Sequence, residues 1–162
     1  MFGLFKKKKK QVELFSVCEG TFKTIDQVND PVFADKIMGD GYAITPVDGK
    51  VQVNSPIKGK VMSIFPTKHA ITFVTDEGIE GLIHMGIDTV ALKGEGFNVY
   101  IEEGQSVDQN TLLADMDIDF VTAQGKDRDI IIVFTNLEEG QKIAINQSGA
   151  VTKGQSVGNI EI

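Results

Sequence analysis

Short runs of alternating hydrophobic and polar residues recur along the chain, separated by turns that contain glycine. No stretch shows the 3.6-residue repeat of a long amphipathic helix. The runs have the two-residue period of half-buried strands, and many short strands at this spacing indicate an all-β sandwich or barrel. Strands are predicted in KVQVNS, KGKVMSIF, HAITFV, IEGLIHMGI, FNVYI, TLLADM, DIIIVF and QKIAIN, which begin at Lys50, Lys58, His69, Ile79, Phe97, Thr111, Asp129 and Gln141.

Two segments carry helix signals. PVFADKIM follows Asp30 and DIDFVTAQG follows Met116, and an aspartate can serve as the N-cap in both. Gly125 can close the C-terminus of the second segment. We therefore predict an all-β fold, an antiparallel β-sandwich or barrel-sandwich with one to three short helices.

The composition is that of one ordinary globular domain. The chain has 162 residues, of which 41% are hydrophobic and 24% are charged, enough for a packed core without disulfides. Cys18 is the single cysteine, so no intramolecular disulfide can form and a reducing compartment is favoured; we expect it to be a small apolar strand residue. The apolar run from Ile130 to Phe134 is too short to span a bilayer. These features predict a cytoplasmic protein.

Charge is unevenly distributed. Lys6 to Lys10 supply 5 of the 16 basic residues, which leaves 11 against 23 acidic residues, a formal charge of −12 for the rest of the chain. This negative charge argues against a nucleic-acid partner, because binding to phosphates needs clustered lysine and arginine side chains on the folded surface. We predict a flexible basic tail over residues 1–11 and a folded domain over residues 12–162. Two interpretations of the tail remain open: a solvated segment, or weak contact of residues 1–10 with anionic lipid.

The two histidines are the candidates for chemistry. In a period-2 strand Leu82 and His84 share one face, while Ile83 and Met85 lie on the other. Periodicity alone leaves His69 and His84 open as structural or catalytic residues. It also gives no metal site within the chain, because two imidazoles provide only part of a zinc ligand set and would need a partner's ligand.

The segment GLIHMGIDTVALKGEGF, Gly81 to Phe97, resembles the active-site signature of glucose-type enzyme IIA domains of the bacterial sugar phosphotransferase system. DPVFADKIMGDGYAI from Asp30 resembles another segment of that family, and FPTKHAI from Phe65 resembles the one with its second histidine. EEGQSV and IVFTNLEEG also fit, so the resemblance runs from about Phe15 to the C-terminus. It implies a phosphocarrier, a transferase component without a cofactor.

Three departures from the family pattern stand out. Gly81 occupies a position where the family usually has a bulkier residue, and we expect it to loosen the strand below His84. Met85 replaces a common phenylalanine, and the first strand, FSVCEG, lacks the usual proline-containing opening. These departures bear on partner fit more than on chemistry, because both histidines and Thr67 are present.

The resemblance also implies catalytic roles. His84 is phosphorylated on Nε2 while a backbone carbonyl holds its Nδ1–H. His69 donates its Nε2–H to a phosphoryl oxygen, and Thr67 holds the tautomer of His69. The apolar neighbours expected to exclude water from the phosphoryl group are Leu82, Ile83 and Met85.

The implied partners are the histidine-containing phosphocarrier protein as donor and a cysteine of a sugar-specific IIB domain as acceptor. Their docking calls for an apolar patch with a charged rim. The predicted patch residues are Val32, Phe33, Phe65 and Met85, and the predicted rim residues are Asp30 and Asp88. Core packing is the alternative for Phe33 and Phe65. The alternative function is a regulatory binding protein whose phosphorylation state controls permeases or kinases through the same face.

Overall fold

The computed structural model describes residues 10–162. In that range the strands are β1 Gln11–Phe15, β2 Gly20–Thr24, β3 Gly41–Pro46, β4 Lys50–Asn54, β5 Gly59–Ile64, β6 Ala70–Thr75, β7 Glu80–Ile87, β8 Phe97–Val99, β9 Ser106–Val107, β10 Leu112–Asp117, β11 Asp127–Phe134, β12 Lys142–Ile145, β13 Gly149–Val151 and β14 Ser156–Glu161. The helices are α1 Pro31–Ala34 and α2 Ile118–Ala123, with 3₁₀ turns at Ile25–Gln27 and Thr89–Leu92.

The strands form three antiparallel sheets. The largest has eight strands in the order β13-β2-β3-β11-β7-β6-β5-β9, and two three-stranded sheets have the orders β1-β14-β12 and β4-β10-β8. Their inward side chains build one main core, to which Ile83 and Met85 of β7 and Ile130 and Ile132 of β11 contribute. The predicted β-sandwich class is therefore confirmed.

Both α-helices begin where an aspartate precedes them. The Asp30 side chain accepts a hydrogen bond from the backbone N–H of Val32 at 2.9 Å, and that of Asp117 accepts one from the N–H of Phe120 at 3.0 Å. These bonds satisfy N–H groups that the first helical turn leaves free. Gly125 follows α2 with φ +77°, as expected of a residue that ends a helix.

The first described strand begins at Gln11, which pairs with Glu161 of β14. The folded part thus starts one residue before the predicted boundary. Residues 1–9, and with them most of the tail and its predicted lipid contact, lie outside the described residues. Within residues 10–162 no helix is long and apolar enough to cross a bilayer.

The eight-stranded sheet has a second apolar cluster on the face turned away from the main core. It consists of Ile25, Val28, Phe33, Ala43, Ile131 and Val133, with Ile87 packed against it. Alternation along β11 explains the two clusters, because Ile130 and Ile132 point to one face of the sheet and Ile131 and Val133 to the other. His84 lies opposite Ile131 in the β7–β11 pairing and so shares the face of this second cluster.

Gly81 does not leave a gap in β7. It lies opposite Phe73 of β6, and a Cβ built on it would come within 2.4 Å of the Phe73 ring and 2.6 Å of the Val133 carbonyl oxygen. The aromatic ring therefore fills the space that a side chain at position 81 would need. The expectation that Gly81 loosens the strand therefore cannot rest on an empty space beside it, and it stays a prediction.

Candidate active site

His84 stands near the C-terminal end of β7, between two neighbouring strands. Ala70 of β6 and Ile131 of β11 are its register partners, so a small residue lies on one side and a branched apolar one on the other. The His84 side chain is partly exposed at this position. The sheet thus holds the imidazole on a rigid strand at the protein surface.

One ring nitrogen of His84 is committed to the backbone. Its Nδ1 lies 2.6 Å from the carbonyl oxygen of Gly86, and because a carbonyl only accepts, Nδ1 carries the proton. In the neutral ring Nε2 then has the lone pair. Gly86 has φ +80°, a conformation that favours glycine. Gly86 follows His84 by two residues in β7, so the carbonyl that accepts the His84 hydrogen bond belongs to the same strand.

His69 lies next to His84, immediately before β6. It is buried, with an exposed fraction of 3%, and its Nδ1 lies 2.7 Å from Oγ1 of Thr67. Its carbonyl accepts a hydrogen bond from the N–H of Met85 at 2.7 Å. Lys68, with φ +62°, turns the chain so that Thr67 and His69 approach each other. The two histidine-bearing segments are therefore joined through their backbones.

The two rings are 4.9 Å apart between centroids and nearly perpendicular, at 78°. Within residues 10–162 each has a hydrogen-bond partner at Nδ1 and none at Nε2. Burial, and next the neighbouring His84, lower the pKa of His69 to about 4. Burial also lowers the pKa of His84, against opposing effects of Gly86 and Asp30. Both imidazoles are therefore neutral near pH 7.

Two aromatic rings flank the histidines. Phe33 lies 5.2 Å from His84 and Phe65 lies 5.6 Å from His69 between ring centroids. Phe65 and Val32 are exposed, at 40% and 42%. Phe33 is 5% exposed and belongs to the second apolar cluster, so its predicted place on an open patch was wrong and the core alternative holds.

Met85 also corrects the predicted patch. It is fully buried and packs in the main core, because it points to the face of β7 opposite His84. Ile83 has the same orientation, so neither residue can exclude water from His84. Leu82 shares the His84 face and is 6% exposed. Of the three predicted apolar neighbours, Leu82 alone lies on the side of the histidine.

The two rim aspartates have different surroundings. Asp30 caps α1, and its negative charge acts on His84. Asp88, in a left-handed conformation just after β7, forms an ion pair with Lys126 at 2.7 Å. The hydrogen bond and charge of Lys126 lower the pKa of Asp88. Asp88 is exposed as predicted, but a lysine of this chain already offsets its charge.

The predicted patch lacks other apolar residues that are exposed on the segments around the site. Ile37 and Met38 follow α1 with exposed fractions of 70% and 38%, and Val90 follows Asp88 with 50%. Their position in the sequence was a signal for them, because Ile37, Met38 and Val90 each lie within a few residues of a predicted site residue. Their exposure depends on tertiary packing, which local alternation does not report.

Among the described residues the histidines have few chemical rivals. Burial, and next the charge of Glu19, raise the pKa of the Cys18 thiol to about 12, so it is not a reactive nucleophile. Cys18 lies in the bend between β1 and β2 rather than in a strand as expected. Residues 10–162 contain no group of three or more histidine, cysteine or acidic side chains that could hold a metal ion. If a metal ion binds at the two histidines, residues 10–162 therefore provide two imidazole ligands, and a partner has to provide the others.

Fold and site together define a β-sandwich protein with two neutral, touching histidines beside exposed apolar residues. Comparison with known proteins then identifies the family to which the chain belongs. The family model described as phosphoenolpyruvate-dependent sugar phosphotransferase system, EIIA 1, matches residues 12–140. The chain belongs to this family and is thus a transferase component of a sugar phosphotransferase system.

Individual relatives agree with the family. The chain is 38% identical over 156 residues to the PTS system glucose-specific EIIA component of Staphylococcus aureus strain Mu50, which covers 96% of this chain and 93% of that protein. It is 41% identical over 150 residues to the PTS system glucose-specific EIICBA component of Streptococcus pneumoniae serotype 4, covering 93% of this chain and 20% of that longer protein. The structure of glucose permease IIA from Mycoplasma capricolum matches with a TM-score of 0.86 and 34% identity, over 96% of this chain and 99% of that one.

Proposed function

We propose that this chain is a cytoplasmic phosphocarrier for glucose uptake, which carries a phosphoryl group on Nε2 of His84. The donor is the histidine-containing phosphocarrier protein and the acceptor is a cysteine of a glucose-specific IIB domain. The observation that carries the proposal is the bond from Nδ1–H of His84 to the Gly86 carbonyl, which leaves Nε2 as the free nucleophile beside a second histidine. The names of the relatives supply the sugar.

Acceptance is a displacement at phosphorus. The lone pair of His84 Nε2 forms the new N–P bond while the N–P bond of the donor phosphohistidine breaks, and its electron pair returns to the donor ring. Nδ1 keeps its proton throughout, because the Gly86 carbonyl stabilises it as positive charge develops on the imidazole. In delivery, a cysteine thiolate of the IIB domain attacks phosphorus and Nε2 recovers its lone pair.

His69 stabilises the phosphoryl oxygens during both transfers. When the Thr67 hydroxyl donates to Nδ1 of His69, the ring proton is on Nε2, where it can be donated to a phosphoryl oxygen on the neighbouring ring. The dianionic group also favours protonation of His69, which is neutral in the free protein. The pair therefore gains charge complementarity only when the phosphoryl group is present.

The docking surface comprises the exposed apolar residues on the segments around the histidines. We assign to it Val32, Ile37, Met38, Phe65 and Val90. Asp30 and Asp88 lie at its rim; Asp30 supplies negative charge there, which suits a donor with basic side chains around its own phosphohistidine, whereas Asp88 is paired with Lys126. A small apolar patch with a charged rim is typical of partners that meet briefly.

The test is delivery as well as acceptance. The protein is first phosphorylated by the phosphoenolpyruvate-driven carrier chain and then mixed with a purified glucose IIB domain. We expect it to transfer its phosphoryl group to that domain in a single-turnover measurement. His69→Gln should accept the group, because the amide still donates a hydrogen bond, but should deliver it about a hundredfold more slowly. His69→Ala should be slow in both steps.

Two outcomes would contradict the proposal. A wild-type protein that accepts the group and never passes it to any IIB domain would be a regulator rather than a carrier. A His69→Gln variant that delivers at the wild-type rate would remove the role given to His69 and, with it, that of Thr67.

A further inference from the structure

Thr89 is a buried polar residue to which the mechanism so far gives no role. It begins the 3₁₀ turn after β7 and has no exposed surface. Its hydroxyl donates a 2.6 Å hydrogen bond to the carbonyl of Met85, four residues earlier. Among residues 10–162, neither His69 nor His84 is a hydrogen-bond partner of its side chain.

The methyl group of Thr89 constrains the same segment. A Cβ on Gly86 would lie 2.5 Å from Cγ2 of Thr89 and 2.9 Å from the carbonyl oxygen of Asp127. The methyl group and the β11 backbone thus pack directly against the Cα of Gly86. Both branches of one side chain therefore contact the 85–86 backbone, one through a hydrogen bond and one through packing.

That backbone carries the contacts of both histidines. The N–H of Met85 donates to the carbonyl of His69, and the carbonyl of Gly86 accepts from Nδ1 of His84. With the Met85 carbonyl bonded to Thr89, three successive peptide groups each have one hydrogen-bonded atom: the Met85 N–H, the Met85 carbonyl and the Gly86 carbonyl. A rotation of the middle peptide group, between residues 85 and 86, would turn the next one and move the Gly86 carbonyl away from the imidazole.

We propose that Thr89 is a positioning residue that fixes the tautomer and orientation of His84 by holding the Gly86 carbonyl against Nδ1. This inference rests on the proposed function insofar as His84 is the phosphoryl acceptor. Loss of the Thr89 hydroxyl frees the Met85 carbonyl, and the weakened Gly86 contact lets the proton of His84 move to Nε2. In the Nε2–H tautomer the lone pair is on Nδ1, beside the Gly86 carbonyl, so Nε2 cannot attack phosphorus.

The matched variants are Thr89→Val, which keeps the shape and removes the hydroxyl, and Thr89→Ser, which keeps the hydroxyl. The first measurement uses the unphosphorylated protein alone: ¹⁵N chemical shifts of the His84 ring report its tautomer. Thr89→Val should show a clear increase in the Nε2–H form, and Thr89→Ser should resemble wild type. This readout needs no partner, so it stays informative even if the proposed phosphotransfer fails.

The second measurement is the rate of acceptance from the phosphorylated carrier protein. Thr89→Val should lower kcat by about tenfold with KM nearly unchanged, because the buried Thr89 cannot touch the donor. Thr75→Val is the control, since Thr75 is also buried and its hydroxyl accepts from the N–H of Ile79 at 3.0 Å, at the turn between β6 and β7. It should lose similar stability while leaving the His84 tautomer and kcat unchanged.

An unchanged His84 tautomer in folded Thr89→Val would overturn the inference, as would an equal effect of Thr75→Val. If Thr89→Val does not fold, Thr89→Cys takes its place, because a thiol is a weak donor of similar size. Thr89→Cys should then show a smaller shift in the same direction, and a wild-type tautomer in it would equally contradict the role of Thr89.

Discussion

In the proposed phosphotransfer we expect His69 and His84 to act as a pair, because the protein keeps both neutral while holding them in contact. Burial supplies the first effect and the two Nδ1 hydrogen bonds supply the second. A protonated ring could not attack phosphorus, so a lowered pKa keeps the nucleophile available near pH 7. The same arrangement costs stability in acid.

The pKa of His69 predicts how stability depends on pH. Its folded-state pKa of about 4 lies below the ordinary 6.5, so the unfolded chain binds the proton more readily. The stabilisation is complete above pH 6.5 and is lost as pH falls toward 4. From pH 7 to pH 5 this one group should lower the free energy of unfolding by about 2 kcal/mol.

Denaturant titrations at pH 7 and pH 5 check this value against His69→Gln, which has no group at position 69 that titrates in that range. The variant should lose about 2 kcal/mol less than wild type over the same interval. Equal losses in the two proteins would show that His69 titrates normally in the folded state.

At this scale the motifs predict which polar residues lie together better than they predict the apolar residues around them. The histidines and Thr67 could be named from their motifs, and the two-residue spacings to Thr67 and Gly86 indicate local hydrogen bonds. Met85 was misplaced on the surface although strand alternation already put it opposite His84. Phe33 could not be assigned locally, because the cluster that buries it includes residues from distant strands.

At the scale of elements, the β6–β7 pair joins the two segments that contain the histidines. Alternation predicted both strands, and the aspartate caps predicted both helices. The order of the eight-stranded sheet could not be predicted, because β13 and β2 or β7 and β11 pair across long sequence separations. Very short strands such as β9, Ser106–Val107, have too few residues to show a period.

The pairing of Gly81 with Phe73 makes a prediction about packing in these strands. Gly81→Ala should lower the free energy of unfolding by about 1–3 kcal/mol, because its Cβ would collide with the Phe73 ring. When Phe73 is also replaced by leucine, Gly81→Ala should lower the free energy of unfolding by less, since the smaller side chain leaves part of that space empty. Some of the loss should remain, because the Val133 carbonyl oxygen stays close to the new Cβ.

A double-mutant cycle by thermal or denaturant unfolding measures this interaction. The coupling should be favourable and exceed about 0.5 kcal/mol. Strictly additive effects would mean that the ring does not occupy the space beside Gly81.

At the scale of the whole molecule, charge separates the chain into a basic start and an acidic body. Deleting residues 1–9 should leave acceptance by His84 unchanged, because the described fold and the site begin after them. Lys10 is kept, since its carbonyl accepts a hydrogen bond from the N–H of Ile162 at 3.0 Å. If the tail contacts anionic lipid, vesicle binding should be lost on deletion and weaken with added salt.

Replacing Lys6 to Lys9 with glutamine is the control that keeps the length of the tail. Each lysine contributes about 1 kcal/mol near a charged membrane, so this variant should also lose binding. Vesicle co-sedimentation gives the answer: equal binding by full-length and shortened protein would eliminate the lipid contact.

The proposed function depends on phosphorylation of His84. Intact-mass measurement after incubation with phosphoenolpyruvate and the carrier chain detects this step. Wild type should gain one phosphoryl group that is released in acid and retained in alkali, whereas folded His84→Ala should gain none. An acid-stable phosphoryl group on wild type, or full labelling of His84→Ala, would show that His84 is not the phosphorylated residue.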